Sequence, residues 1–163
     1  MIRILVAVFA MVFFCAYSSV AQAQQQKLNQ VELVKQFLGH WRVDVARDTV
    51  TYVIIAPFGT GFTCDFRTVV KNKTISEMKE LYGYDSKLDK YVAASLEKGK
   101  DIEIWALWFT SNTKYEGVHF VDVSNPDKAK IRLEGEIKSS DECLQTAFID
   151  GVVAGAEDFK RIK

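Results

Sequence analysis

Histidine and cysteine are scarce: the 163-residue chain has two histidines and three cysteines. No Cys-x-x-Cys or His-x-x-x-His pair brings them together, so a metal site built from these ligands is not expected. Net charge is missing as well, with 21 basic residues against 21 acidic ones. Binding phosphate needs a clustered positive field, which excludes nucleic acid as a partner. The lysine-rich pieces Lys71-Asn72-Lys73 and Lys87 to Lys90 are interrupted by acids or sit at turns, and read as solvated loops. There is no Gly-x-Ser-x-Gly, no phosphate-cradling glycine loop and no dinucleotide fingerprint. Gly59-Thr60-Gly61 comes nearest, but it joins two strands rather than opening a helix.

Long hydrophobic runs are confined to the N-terminus. Arg3 is the only charge ahead of Lys27; it precedes the apolar residues 4–14 and then the small-residue signature Ala21-Gln22-Ala23. The apolar run is shorter than the roughly 20 residues that span a bilayer. Residues 1–23 therefore read as a cleavable signal. Residues 24–163 form the mature, secreted or periplasmic chain, with no transmembrane anchor and room for one domain. Cys15 leaves with the signal, and Cys64 and Cys143 remain. An oxidising compartment allows them to pair. Two buried thiols acting as small apolar side chains are the alternative.

The mature chain opens on a helical pattern. Val31, Leu33, Val34, Phe37 and Leu38 recur at helical spacing, with Glu32, Lys35 and Gln36 on the other side, and Gly39 is suited to end the helix. From Trp41 the period becomes two. Trp41, Val43 and Val45 share a face; Tyr52, Ile54, Ala56 and Phe58 form a second series; Phe62, Cys64, Phe66 and Thr68 form a third. Further on, Ile102, Ile104, Ala106 and Trp108 are placed on one inward face, Tyr115, Gly117 and His119 on another, and Leu133, Gly135 and Ile137 on the next. Turn residues punctuate these runs, and no second helix is long enough for a crossover. The expected fold is all-β: an antiparallel up-and-down β-barrel of about eight to ten strands, with the N-terminal helix closing one end. A curved sheet wrapped around long helices would want more helix than the sequence offers.

Gly39-His40-Trp41 after a helix, the segment Tyr82-Gly83-Tyr84-Asp85 leading into Lys90-Tyr91-Val92, and the terminal Asp158-Phe159-Lys160-Arg161 carry a resemblance. Over about Val31 to Lys163 the chain resembles the lipocalin-like, or calycin, small barrels of exported bacterial proteins. That resemblance implies a tryptophan packed at the closed end beneath a basic side chain of the last strand, which assigns barrel closure to Gly39, Trp41 and Arg161. It further implies binding of a small apolar or amphipathic molecule, without catalysis. The candidate contacts are Tyr52, Phe66, Tyr82, Trp108, Tyr115 and His119.

Other readings compete with this one. A solid barrel would serve as a protein interaction module, and Trp105, placed on the outer face of its strand, would be the surface for a partner or a second copy. A small barrel hydrolase or isomerase would have to use His119, since His40 beside Trp41 reads as structural or solvated. No cofactor is expected: haem ligated by His119 is conceivable, but one histidine on a strand is thin support. Glu80 has two placements. In phase with Met78 and Tyr82 it faces inward, where a carboxylate could select a cationic or hydroxylated ligand; a one-residue shift of the pleat leaves it in solvent with Leu81 inside. The latter is slightly favoured, because an interior carboxylate is costly.

Overall fold

The computed structural model describes residues 27–163. The expected signal and its cleavage after Ala23 lie outside the described residues. Ten strands follow one another: β1 (Gly39–Ala46), β2 (Thr49–Phe58), β3 (Gly61–Val70), β4 (Lys73–Asp85), β5 (Lys90–Glu97), β6 (Glu103–Phe109), β7 (Lys114–His119), β8 (Ile131–Ser139), β9 (Glu142–Ile149) and β10 (Val152–Arg161). Each pairs antiparallel with the next, and β10 returns to β1, so the all-β barrel is closed. Tight hairpins follow from turn chemistry. Lys71 and Asn72 both take positive φ (47° and 65°), as do Asp150 and Gly151 (51° and 77°), a backbone twist that suits two-residue hairpins. Among the described residues, no helix is long and apolar enough to cross a membrane.

One end is plugged. Asn29 caps the helical turn Gln30–Leu33 by accepting from the Glu32 amide, and a 3₁₀ turn, Val34–Phe37, continues it. Leu38 ends the helix by turning extended (φ −58°, ψ 136°), so Gly39 opens β1 rather than capping a helix. The Gln30 side chain completes the β6 backbone: its Nε2 donates to the Phe109 carbonyl (3.0 Å) and its Oε1 accepts from the Phe109 amide (2.7 Å). Phe37 enters the barrel, stacked on Phe109 at 5.3 Å and edge-on to Tyr115 at 4.9 Å.

Trp41 and Arg161 lock this plug to the end of the chain. The indole Nε1 of buried Trp41 donates to the Phe37 carbonyl (2.6 Å). The Arg161 guanidinium lies 4.1 Å from the Trp41 ring centroid, a cation–π contact. It also donates to the carbonyls of Leu38, Gln36 and Ser140. Gly39 is required here for two reasons. Its φ is +128°, and a Cβ would come within 2.3 Å of Arg161 Nη1.

The opposite end is splayed. β1 and β10 pair only through Trp41 with Arg161, Arg42 with Lys160, and Val43 with Phe159. Beyond that point β10 keeps its ladder with β9, while residues 152–158 are exposed along the seam with β1. The barrel therefore tapers open away from the helix.

Two strands run opposite in phase to the sequence expectation. On β2, Val53 is 1% exposed and faces inward, whereas Ile54 is 45% exposed and shares the outer face with Tyr52. On β6, Trp105 and Leu107 line the interior, and Ala106 and Trp108 point outward. The cause on β6 is a second apolar layer. Residues 120–129, carrying the 3₁₀ turns Phe120–Asp122 and Pro126–Lys128, bring Val123 and Ala129 over Ala106, Trp108 and Val118. Both faces of β6 are thus buried, and alternation alone does not distinguish them. Lys90 Nζ completes the outer cover, 3.3 Å from the Trp108 ring centroid.

The plug predicts a specific non-additivity. Gly39→Ala should destabilise by about 1–3 kcal/mol through backbone strain and displacement of Arg161, and Arg161→Ala by roughly 2–3 kcal/mol through three lost donations. In the double variant the clash disappears with the guanidinium, so the sum of the single losses should exceed the double loss by at least about 0.5 kcal/mol. Urea unfolding of the four proteins measures it; strict additivity would separate Gly39 from Arg161.

Candidate functional site

Between the helical plug and the splayed end lies a cavity of about 370 Å³. Its wall is mostly apolar. Trp41, Phe62, Phe66, Tyr82, Trp105 and Tyr115 supply aromatic surface, and Val53, Leu107 and Leu133 supply aliphatic surface. Phe62 and Tyr82 stack nearly parallel, with centroids 4.2 Å apart. Gly135 makes the wall's notch: a Cβ there would meet Tyr115 Cζ at 1.9 Å, so the ring lies directly on the glycine.

The polar groups form two sets. In the first, Tyr82 donates its hydroxyl to Glu80 Oε2 (2.9 Å), and Ser95 stands opposite Glu80 in the ladder. Glu80 is only 8% exposed while Leu81 is 47% exposed, which reverses the solvent placement favoured from the sequence. The register of β4 against β3 decides it, because Glu80 sits opposite inward Cys64. Burial holds the Glu80 carboxyl above its ordinary range, against the opposing hydrogen bonds from Tyr82 and Ser95; the Glu103 charge raises it further. In the second set, Tyr115 donates to Gln145 Oε1 (3.1 Å) and touches Cys143 Sγ at 3.5 Å. Burial pushes the hydroxyls of Tyr82 and Tyr115 well up, so both stay donors at neutral pH. Glu157 opens onto solvent at the seam, yet surrounding protein still pushes its carboxyl up.

Of the residues expected to contact a ligand, Phe66, Tyr82 and Tyr115 line the cavity. Tyr52 and Trp108 do not. Tyr52 lies on the outer face beneath Arg67, whose guanidinium carbon is 5.6 Å from its ring centroid, and Trp108 lies in the outer apolar layer. His119 stands opposite Trp105 in the ladder and packs edge-on against it at 4.1 Å, leaving Trp105 as the wall at that point. Its Nε2 is buried, has no hydrogen-bond partner among the described residues, and lies 3.8 Å from Glu103 Oε2. Trp105 facing inward also removes the outer association surface drawn from it. His40 is exposed.

Cys64 and Cys143 are both buried, and both are free thiols. They occupy nearly opposite walls: β2, β1 and β10 separate β3 from β9 by the shorter way round. Four strand spacings of about 4.8 Å put the pair far beyond the roughly 7 Å Cα reach of a disulfide. Burial raises both thiols, which keeps them protonated. No group of three or more His, Cys, Asp or Glu side chains that could hold a metal ion occurs among the described residues.

Sequence reasoning passed over Ser95, Glu103, Gln145 and Glu157. Signals for all four exist: Ser95 keeps phase with buried Tyr91 and Ala93, Glu103 with Trp105, and Glu157 with Phe159. Gln145 follows Cys143 in the same way.

Glu80 makes a pH-dependent prediction. A raised folded value means that ionising Glu80 costs stability. Its favourable contribution is complete below its ordinary value of 4.5 and is lost as pH rises through the folded value. Glu80→Gln keeps an acceptor for Tyr82 and removes that cost. The variant should melt higher than the parent at neutral pH, with the gap closing below pH about 4. Equal melting at both pH values would contradict the buried placement.

No protein-family model matches the chain. No curated protein matches it at a significant level either.

Proposed function

We propose that the protein is an exported, non-enzymatic carrier or sensor that holds a small apolar or amphipathic molecule inside its barrel. The observation that carries this reading is the cavity: about 370 Å³, walled by aromatic and aliphatic side chains and crossed by a few convergent polar groups. Cavities of roughly 300–1,000 Å³ with that lining are the usual form of small-molecule sites. The splayed seam between β1 and β10 supplies a way in. The Arg161 guanidinium over Trp41, with Gly39 beneath it, supports a lipocalin-like kinship, since the closure has the arrangement that resemblance implies. The apolar stretch of residues 4–14 followed by Ala21-Gln22-Ala23 supports export to the periplasm or medium.

The hollow interior weighs against a solid interaction module. A hydrolase or isomerase built on His119 is disfavoured because its ring packs edge-on against Trp105, which forms the cavity wall there, and burial keeps the two thiols protonated.

Trp105 provides the assay. An added neutral apolar probe should change tryptophan emission in a saturable way; Trp105→Phe should diminish that change and Trp108→Phe should leave it, because Trp105 and Trp41 line the cavity and Trp108 lies outside it. Absence of saturable binding across neutral, cationic and anionic alkyl probes would overturn the carrier reading.

A further inference from the structure

The cavity wall carries charge of one sign. Among the described residues that line it, Glu80, Glu103 and Glu157 carry carboxylates and none is a lysine or arginine; the one basic group beside them is His119, packed on Trp105 with its Nε2 3.8 Å from Glu103 Oε2. The cations near the barrel are committed elsewhere. Arg161 is spent on Trp41 and three carbonyls at the plug, Lys90 covers Trp108 on the outer layer, and Arg67 lies over Tyr52 on the outer face.

We infer that the site takes a ligand with a positively charged head, a protonated or quaternary amine on an apolar body, and rejects carboxylates such as fatty acids. This rests on the carrier reading and names its ligand class. Three features of the wall support it. Glu80 is more than nine-tenths buried and aimed into the cavity; neutral hydroxyls of Tyr82 and Ser95 are its hydrogen-bond donors, and among the described residues it has no ion-pair partner. A buried carboxylate without a cation is costly, so a cationic head entering the cavity relieves a cost that the empty barrel bears. At the mouth, Trp105 Nε1 donates to Glu103 Oε2 (3.2 Å), which sets a carboxylate at the edge of an indole ring. An ammonium group is attracted by both at once, through the ring quadrupole and the negative charge. Glu157 lies on the splayed strand β10, so a cation entering there meets negative charge before it reaches Glu80. An anionic head would face repulsion from the same groups without a cation to receive it.

The test compares three probes with one decyl chain, each below its micelle threshold: decyltrimethylammonium, neutral decanol and decanoate. Binding is read by Trp105 emission and by calorimetry on the mature chain. The cation should bind at least about tenfold more tightly than decanol and displace it, with decanoate weakest. Glu80→Gln combined with Glu157→Gln should remove most of the preference for the cation, read as the ratio of its affinity to that of decanol, with circular dichroism checking that the variant is folded. Equal affinities for the three probes, or tightest binding of decanoate, would overturn the charge inference and leave the carrier reading standing. A cation that binds without displacing decanol would place it on the outer surface and overturn the inference in the same way. If none of the three binds saturably, the carrier reading falls and takes the inference with it.

Discussion

The Arg161 guanidinium holds the two ends of the barrel's chain together. Stacked on Trp41 and donating to Leu38, Gln36 and Ser140, it ties the helical plug, the first strand, the last strand and the β8–β9 turn into one assembly. The closure of the barrel is concentrated there, because β1 and β10 share only three residue pairs. Gly39 follows from the same contact: a side chain at that position would occupy the space of the guanidinium. Helix, glycine, tryptophan and arginine therefore act as one device. Its consequence is that the far end is free to splay, which leaves the interior accessible.

That interior is only partly filled. A barrel of ten strands encloses more volume than the inward side chains here occupy, and a cavity of about 370 Å³ remains. Carboxylates placed in such a space are poor choices for stability alone. Glu80 would be replaced without loss by an apolar residue if packing were the only demand. Groups that lower stability while facing a cavity are the expected mark of a binding site; under the proposed reading, Glu80, Glu103 and Glu157, with His119 the one basic group beside them, give that site its sign.

Much of the architecture is legible in the residues. The change from helical spacing to alternation at Trp41, the turn residues between the runs and the lack of a crossover helix lead to an antiparallel meander with a helical plug. The partnership of Trp41 with Arg161 was expected and is present. Phase was harder. On β6 the segment 120–129 buries the outer face too, so Trp105 and Trp108 both look like core, and the choice between them rests on a long-range contact that no local pattern carries. On β2 the series Tyr52, Ile54, Ala56 and Phe58 is as apolar as Val53 and Ile55, and pairing of Ile55 with inward Cys64 breaks the tie. Glu80 was misplaced by an energetic argument that holds for a solid core and fails for a hollow one. The cysteines look equally pairable in sequence; only the order of strands around the barrel sets them on opposite walls.

The central claim is that the barrel is hollow and occupied in its native setting. Native mass spectrometry of the protein purified from its own source measures this directly. The account predicts a mass in excess of the mature chain that is lost on denaturation, contributed by a small molecule with an apolar body and a basic nitrogen. A mass equal to the bare chain, repeated under gentle desolvation in preparations that retain added ligand, would contradict it.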